Sequence, residues 1–279
     1  MSTISDALPV PGRIRRPAFR TSLATLARRR FSLTARTPRE LVVPLVTPVL
    51  FALVIAPALK RALHTSAAYE SYVAVGTVGL LVPLNTMFLG IGSIVDRISG
   101  ARRELLAAPV PRGLLVLGNL PVALATTWLQ VLTLIAFAEA RRIHFHPHGA
   151  GVLWFTAAVI LLTVTFTAIG ETLASRLPSQ EEYIARLPAI AIAPWFLAGS
   201  LFPITAMPVG LTWVARFLPL THALALMRYG LLHDPSGLHA VWRLHSTTAS
   251  ALLSLLVLAV FAIVLLRVAI RVFTRAATA

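Results

Sequence analysis

Long runs of apolar residues recur along this sequence, and most of them are about twenty residues long. An α-helix needs about 20 such residues to cross roughly 30 Å of hydrocarbon. Inside a bilayer a helix also satisfies its backbone polar groups with its own hydrogen bonds. Of all residues, 57% are hydrophobic and 13% are charged, whereas soluble domains are about 25% charged. The sequence therefore predicts an all-α membrane protein.

Six of these runs are candidates for transmembrane helices, although the fifth is only marginally long enough to cross. They cover residues 41–59, 72–95, 113–138, 152–174, 188–203 and 248–266. The second run contains four small residues that permit close helix approach in lipid: Gly76, Gly79, Gly90 and Gly92. We expect one six-span domain over residues 40–279, preceded by a cytosolic basic arm over residues 1–39.

The basic residues predict the orientation in the membrane. With both termini in the cytosol, cytosolic segments hold eighteen basic residues and outer segments seven, as the positive-inside rule requires. We therefore expect a multi-pass protein of the cell membrane. The net charge of +15 comes from residues that flank apolar runs, which favours contacts with anionic lipids over nucleic-acid binding.

The arm before the first span has the pattern of an amphipathic helix. Phe19, Leu23, Leu26 and Phe31 can share one face beside several arginines, which predicts an interfacial helix on the cytosolic surface. The first forty residues contain nine arginines and no apolar core of the required length. We therefore expect no cleaved signal peptide.

Residues 204–232 are semi-apolar and are broken by Pro208, Gly210 and Pro219. Arg216, His222 and Arg228 within this stretch would be costly facing lipid at mid-bilayer, so we expect re-entrant or interfacial helices on the outer side. The polar segment before the fifth run is expected to be a turn. Four tryptophans near predicted interfaces are expected to be aromatic-belt anchors: Trp154, Trp195, Trp213 and Trp242.

The sequence lacks the usual motifs of catalysis and metal binding. Its only lysine, Lys60, is not in a phosphate-binding G-x-x-x-x-G-K-[ST] motif, and it has no cysteine. His144, His146 and His148 alternate around Pro147, but without carboxylate or thiolate partners a solvated loop is favoured over a metal site. Glu171 is expected to be solvated near the membrane surface. We predict a non-catalytic chain that binds no cofactor.

The segment GARRELLAAPVPR, residues 100–112, is the most charged short loop between spans. It predicts a short helix that follows a glycine, carries Arg102, Arg103 and Glu104, and stops at Pro109. Two interpretations remain open from the residues alone: a rigid helix that transmits force from a soluble partner, or an ordinary positive-inside loop.

Three segments resemble the type-2 ABC transporter permease family, which includes drug-resistance and polysaccharide-export permeases. The first is RELLAAPVPRGLLVLGNLP, which resembles the family's coupling segment. The second is PWFLAGSLFPITAMPVGLTWVARFLPLTHALALMRYGLL, which is similar to its fifth span and outer re-entrant helices. The third is TARTPRELVVPLVTPVLF, which is similar to the family's basic interfacial helix and Pro-rich first span. They occur in the family's order, and the interval from the first to the last of them in the sequence, residues 34–232, is most of the chain.

This resemblance implies a permease subunit of an ABC exporter that moves an amphiphilic substrate, such as a drug, an antibiotic or a lipid-linked molecule. It implies a second permease copy and a cytosolic ATPase that binds ATP and magnesium. The residues implied to contact the ATPase are Arg102, Arg103, Glu104 and Leu105. Those implied at the outer gate and re-entrant helices are Phe202, Pro203, Pro219, Leu220, Thr221 and Arg228.

Two other classes are weighed against this interpretation. A secondary transporter driven by an ion gradient should show broken helices in corresponding positions of two halves and several charges within spans, and the sequence shows neither pattern. The second class, a non-transporting membrane scaffold or an integral enzyme, would have no ATPase partner.

Overall fold

The structure, a computed structural model, describes residues 19–36, 67–143, 145–147 and 149–276, and isolated positions between 46 and 61. The secondary structure in these ranges is helical. The predicted first span, residues 41–59, lies outside the described residues apart from some of those isolated positions, as does the arm before residue 19.

The helices follow one another with short connections. Their bounds are α1 Phe19–Arg36, α2 Ala67–Ile98, α3 Ala101–Ala107, α4 Gly113–Leu117, α5 Leu120–Ala140, α6 Gly151–Arg176, α7 Gln180–Leu187, α8 Ala193–Leu197, α9 Val209–Phe217, α10 Pro219–Leu232, α11 Ser236–Trp242 and α12 Thr247–Ala276. A π-helical turn, Pro188–Ile192, joins α7 to α8, and a 3-10 turn, Ile204–Ala206, precedes α9.

Four helices of the described chain are long and apolar enough to cross a membrane: α2, the α4–α5 segment, α6 and α12. They coincide with the predicted second, third, fourth and last spans. The last helix is longer than predicted, because α12 continues to Ala276 instead of ending near residue 266. The protein is therefore a multi-pass membrane protein, while the count of six spans stays a prediction.

The region of the predicted fifth span is divided into more short helical segments than the sequence indicated. The segment expected to be a polar turn is helix α7, whose start is capped by the Ser179 hydroxyl accepting a hydrogen bond from the Glu182 amide at 3.3 Å. Pro188 and Pro194 follow, and each lacks the backbone donor of a regular helix. Helices α9 and α10 then meet at 82°, a bend found in either a broken span or a re-entrant pair.

Helix α6 lies at the centre of the bundle and packs against α2, α10 and α12. The carboxyl ends of α2, α6 and α12 lie together beside α3, and we call this the α3 end. At the opposite end, which we call the α10 end, Gly230 of α10 lies against the backbone of Gly151 at the start of α6.

The glycines of α2 permit the close approach that the sequence predicted. A Cβ atom at Gly76 would overlap the Ser200 carbonyl oxygen, and one at Gly90 would overlap the Tyr183 hydroxyl. That hydroxyl donates a hydrogen bond to the Met87 carbonyl oxygen at 2.7 Å. The polar groups on α7 and in the turn after α8 can therefore reach the backbone of α2.

Candidate functional site

Helix α3 forms the centre of the first candidate region, and it begins where the sequence predicted. Gly100 precedes it with a φ of +81°, a left-handed conformation that glycine adopts without steric cost. The extended Ala108 ends the helix just before Pro109. The chain can therefore turn sharply out of α2 and run as a separate short helix.

The four predicted ATPase-contacting residues of α3 have different environments. Arg103 and Glu104 are exposed, Leu105 is half-buried and Arg102 is 8% exposed. The Arg102 guanidinium carbon lies 4.3 Å from the centroid of the Phe273 ring, and Arg102 donates a hydrogen bond to the Phe273 carbonyl oxygen at 3.4 Å. Helix α3 therefore presents Arg103 and Glu104 outward and is attached to α12 through Arg102.

The charge of Arg102 is held in an unfavourable environment. Burial lowers the pKa of its guanidinium, and the like charge of Arg97 lowers that pKa further, while Glu171 acts in the opposite direction. In the described part of the chain, no carboxylate lies within ion-pair distance of Arg102. The Phe273 ring stabilises its cation through a cation–π contact.

An ion pair between α1 and α2 lies beside α3. Asp96 accepts hydrogen bonds from Arg29 at 3.0 Å and from Arg30 at 3.1 Å. Arg30 also donates to the Leu89 carbonyl oxygen at 3.3 Å, and its guanidinium fills the space beside Gly92. The helical arm predicted from the basic amphipathic pattern is thereby fixed against the end of α2.

Glu171 lies deeper than the sequence indicated. We expected it to be solvated, but it is 2% exposed. Its carboxylate accepts hydrogen bonds from the Ser93 hydroxyl at 2.9 Å and from the Asn119 amide at 2.7 Å. Because these donors belong to α2 and to the residue before α5, the carboxylate joins three membrane helices at the α3 end.

Arg97 connects the end of α2 to the end of α6. It donates hydrogen bonds to the carbonyl oxygens of Ala174 at 3.0 Å and Pro178 at 3.2 Å, and also to that of Leu177. These carbonyls at a helix carboxyl terminus have no partners within the helix. A cation at this position also interacts favourably with the helix dipole.

The second candidate region is the turn after α8, at the α10 end. Gly199 has a φ of +80°, and its carbonyl oxygen accepts a hydrogen bond from the Tyr72 hydroxyl at 2.8 Å. Arg228 donates to the Ser200 carbonyl oxygen at 3.0 Å, and its guanidinium carbon lies 3.4 Å from the centroid of the Tyr72 ring. The turn is therefore bound to both α2 and α10.

The structure brings only part of the predicted outer set together. Arg228 contacts the turn that leads to Phe202 and Pro203, both of which are exposed. Pro219 begins α10, and Leu220 and Thr221 after it are buried. These three residues lie about 10–14 Å from Arg228 along the helix axis, since each residue adds about 1.5 Å.

Several residues of these regions were not predicted from the sequence. Asp96 and Phe273 lie outside the quoted motifs, and Asn119 lies within the first of them but was given no role there. Each acquires its role from a helix distant in the chain. Trp195, expected in an aromatic belt, is 5% exposed and donates a hydrogen bond to the Gly76 carbonyl oxygen at 2.8 Å. The pairing of Tyr72 with Arg228 spans 156 residues.

A metal site is not found in the part of the chain that the structure describes, because no group of three or more histidine or acidic side chains has suitable geometry. Of the three alternating histidines, His144 and His148 lie outside the described residues. The backbone amide of His146 donates to the Leu231 carbonyl oxygen at 2.9 Å, which ties the loop after α5 to α10.

Comparison with known proteins gives a consistent picture. The family model of the ABC-2 type transporters matches residues 21–232, a range that contains α3 and ends with α10. Nodulation protein J of Rhizobium leguminosarum bv. viciae is 25% identical over 170 residues, which are 60% of this chain and 64% of that protein. Nodulation protein J of Sinorhizobium fredii (strain NBRC 101917 / NGR234) is 23% identical over 171 residues, which are 61% of this chain and 64% of that protein. The match thus spans a little under two thirds of these curated relatives.

Proposed function

Because this chain belongs to the ABC-2 type transporter family, we propose that it is the membrane-spanning subunit of an ABC exporter whose ATP is hydrolysed by a separate chain. The observation that carries the proposal is the family match across α3, together with the geometry of that helix. Arg103 and Glu104 are exposed while Arg102 is held on α12. A charged helix with one exposed and one attached face is suited to transmitting movement.

In this proposal the ATPase binds the α3 end from the cytosol, and both chain termini lie on that side. Mg-ATP is bound by the ATPase alone. A second permease subunit, either identical or homologous, completes the pathway. The substrate is amphiphilic, such as a drug, an antibiotic or a lipid-linked molecule, and it leaves at the α10 end. Phe202, Pro203 and the start of α10 form the outer gate.

Co-purification tests the proposal directly. The tagged chain is expressed with its neighbouring reading frames, solubilised gently and analysed by mass spectrometry for proteins present in stoichiometric amounts. We expect a soluble protein with a phosphate-binding G-x-x-x-x-G-K-[ST] motif. If no such protein is recovered and transport continues after ATP depletion, a gradient-driven transporter or a scaffold would replace this proposal.

A further inference from the structure

A small cavity at the α3 end is enclosed by α1, α2, α3, the α4–α5 segment and α12. Its volume, counted as the space open to the centres of water molecules, is about 40 Å³, room for about three water molecules. The polar side chains that line it come from four of these elements: Arg29, Arg30, Ser93, Asp96, Arg102 and Asn119.

The lining of the cavity carries more positive than negative charge. Arg29, Arg30 and Arg102 line the cavity together with Asp96, whose carboxylate is paired with Arg29 and Arg30. The buried Glu171 carboxylate lies directly behind Ser93 and Asn119, so the three cations still exceed the two nearby carboxylates by one charge. Arg102 is 8% exposed and, within the described residues, has no carboxylate partner. A buried cation that has no anionic partner is strongly unfavourable, and an anion bound in this cavity would neutralise the charge of Arg102.

We propose that this cavity binds the phosphate group of an anionic ligand, with Arg102 as its main contact. Planar guanidinium groups bind phosphate oxygens in pairs, and Arg102 enters the cavity beside Asn119 and Ser93. The shared chemistry is a phosphate, which either a phospholipid headgroup or free phosphate can supply. The site is additional to the transport function, and its occupation does not depend on an ATPase.

The apolar part of the lining fits a phosphate that carries acyl chains. Leu26 of α1, Leu105 of α3 and Leu115 of α4 contribute to the same cavity. Exposed apolar side chains of α1, such as Phe19 and Phe31, continue along the arm beside it. Basic pockets between membrane helices are known to hold anionic headgroups.

The experiment uses the full-length chain in detergent, with melting temperature and native mass spectrometry as readouts. Phosphatidylglycerol, phosphatidylcholine and inorganic phosphate are added separately. We compare Arg102→Met with Arg103→Met, which removes the same charge from the adjacent, exposed position. We expect phosphatidylglycerol to raise the melting temperature of the wild type and of Arg103→Met. Its affinity for Arg102→Met should be at least about tenfold weaker, since the loss of a charge-assisted hydrogen bond costs that much or more.

The outcomes separate the two sources of phosphate. Arg102-dependent binding of phosphatidylglycerol alone identifies a lipid headgroup, whereas Arg102-dependent stabilisation by inorganic phosphate identifies a site for the free anion. Arg102→Lys serves as a folding control. It keeps the charge but not the planar guanidinium fork, and it should bind phosphatidylglycerol with intermediate affinity. If phosphatidylglycerol and phosphate fail to stabilise the wild type, or if both methionine variants lose binding equally, the proposal is overturned.

Discussion

Arg102 and Phe273 join the short helix α3 to the last helix of the chain. The guanidinium carbon lies 4.3 Å from the ring centroid, and the two residues are 171 positions apart in sequence. Helix α12 packs in turn along the central helix α6. A displacement of α3 would therefore act on the centre of the bundle through this contact.

Replacing Phe273 with leucine should weaken the attachment of α3. The variant keeps an apolar side chain but loses the cation–π contact, which is worth about 0.5–2 kcal/mol depending on exposure. We expect a lower melting temperature and less transport per ATP hydrolysed, with ATPase binding retained. Val264→Ala on the exposed side of α12 is the control. Equal loss of transport in both variants would count against a special role for the contact.

Replacing Glu104 with arginine should disrupt the docking of the ATPase. Glu104 is exposed on α3, so the variant should insert and fold normally while its charge repels the partner's complementary surface. The measurement is the amount of ATPase that co-purifies. Glu139→Arg, an exposed carboxylate at the α10 end, should leave the yield unchanged. Unaltered ATP-dependent transport in Glu104→Arg would refute the coupling role.

Replacing Asp96 with asparagine should loosen α1. Two arginines, one of them 8% exposed, would lose their shared carboxylate, at a cost of about 1–3 kcal/mol. We expect a lower melting temperature and faster hydrogen exchange in α1. Glu182→Gln removes an exposed pair with Arg186 within one helix, which is worth only about 0.3–0.5 kcal/mol. Similar effects of the two substitutions would show that Asp96 does not hold the arm.

Replacing Gly76 with alanine should destabilise the bundle by about 1–3 kcal/mol, because the new methyl group would overlap the backbone of Ser200. Gly210→Ala is the matched control, since a Cβ atom there meets no neighbour. That control should be neutral or gain up to about 1 kcal/mol from helix propensity. The two variants are compared by thermal unfolding in detergent. Equal melting temperatures would contradict the close packing of Gly76 against Ser200.

The apolar runs alone determined that the chain is an α-helical membrane protein, because about twenty apolar residues can satisfy their backbone in lipid only as a helix. They also placed α2, α6 and the α4–α5 segment to within a few residues. The glycine before α3 and the prolines after it predicted that helix, since both act on the local backbone. Residues 21–232 then match the family that the motifs indicated.

The tertiary structure decided which polar residues meet. Glu171 and Trp195 were expected near the membrane surface, but both are buried because Asn119 and Gly76 offer them hydrogen-bond partners. Arg102 was indistinguishable from Arg103 in sequence, and only the position of Phe273 on α12 separates their environments. Hydropathy reports how each segment partitions into lipid, whereas the partner of a buried charge depends on helix packing between segments that are distant in sequence.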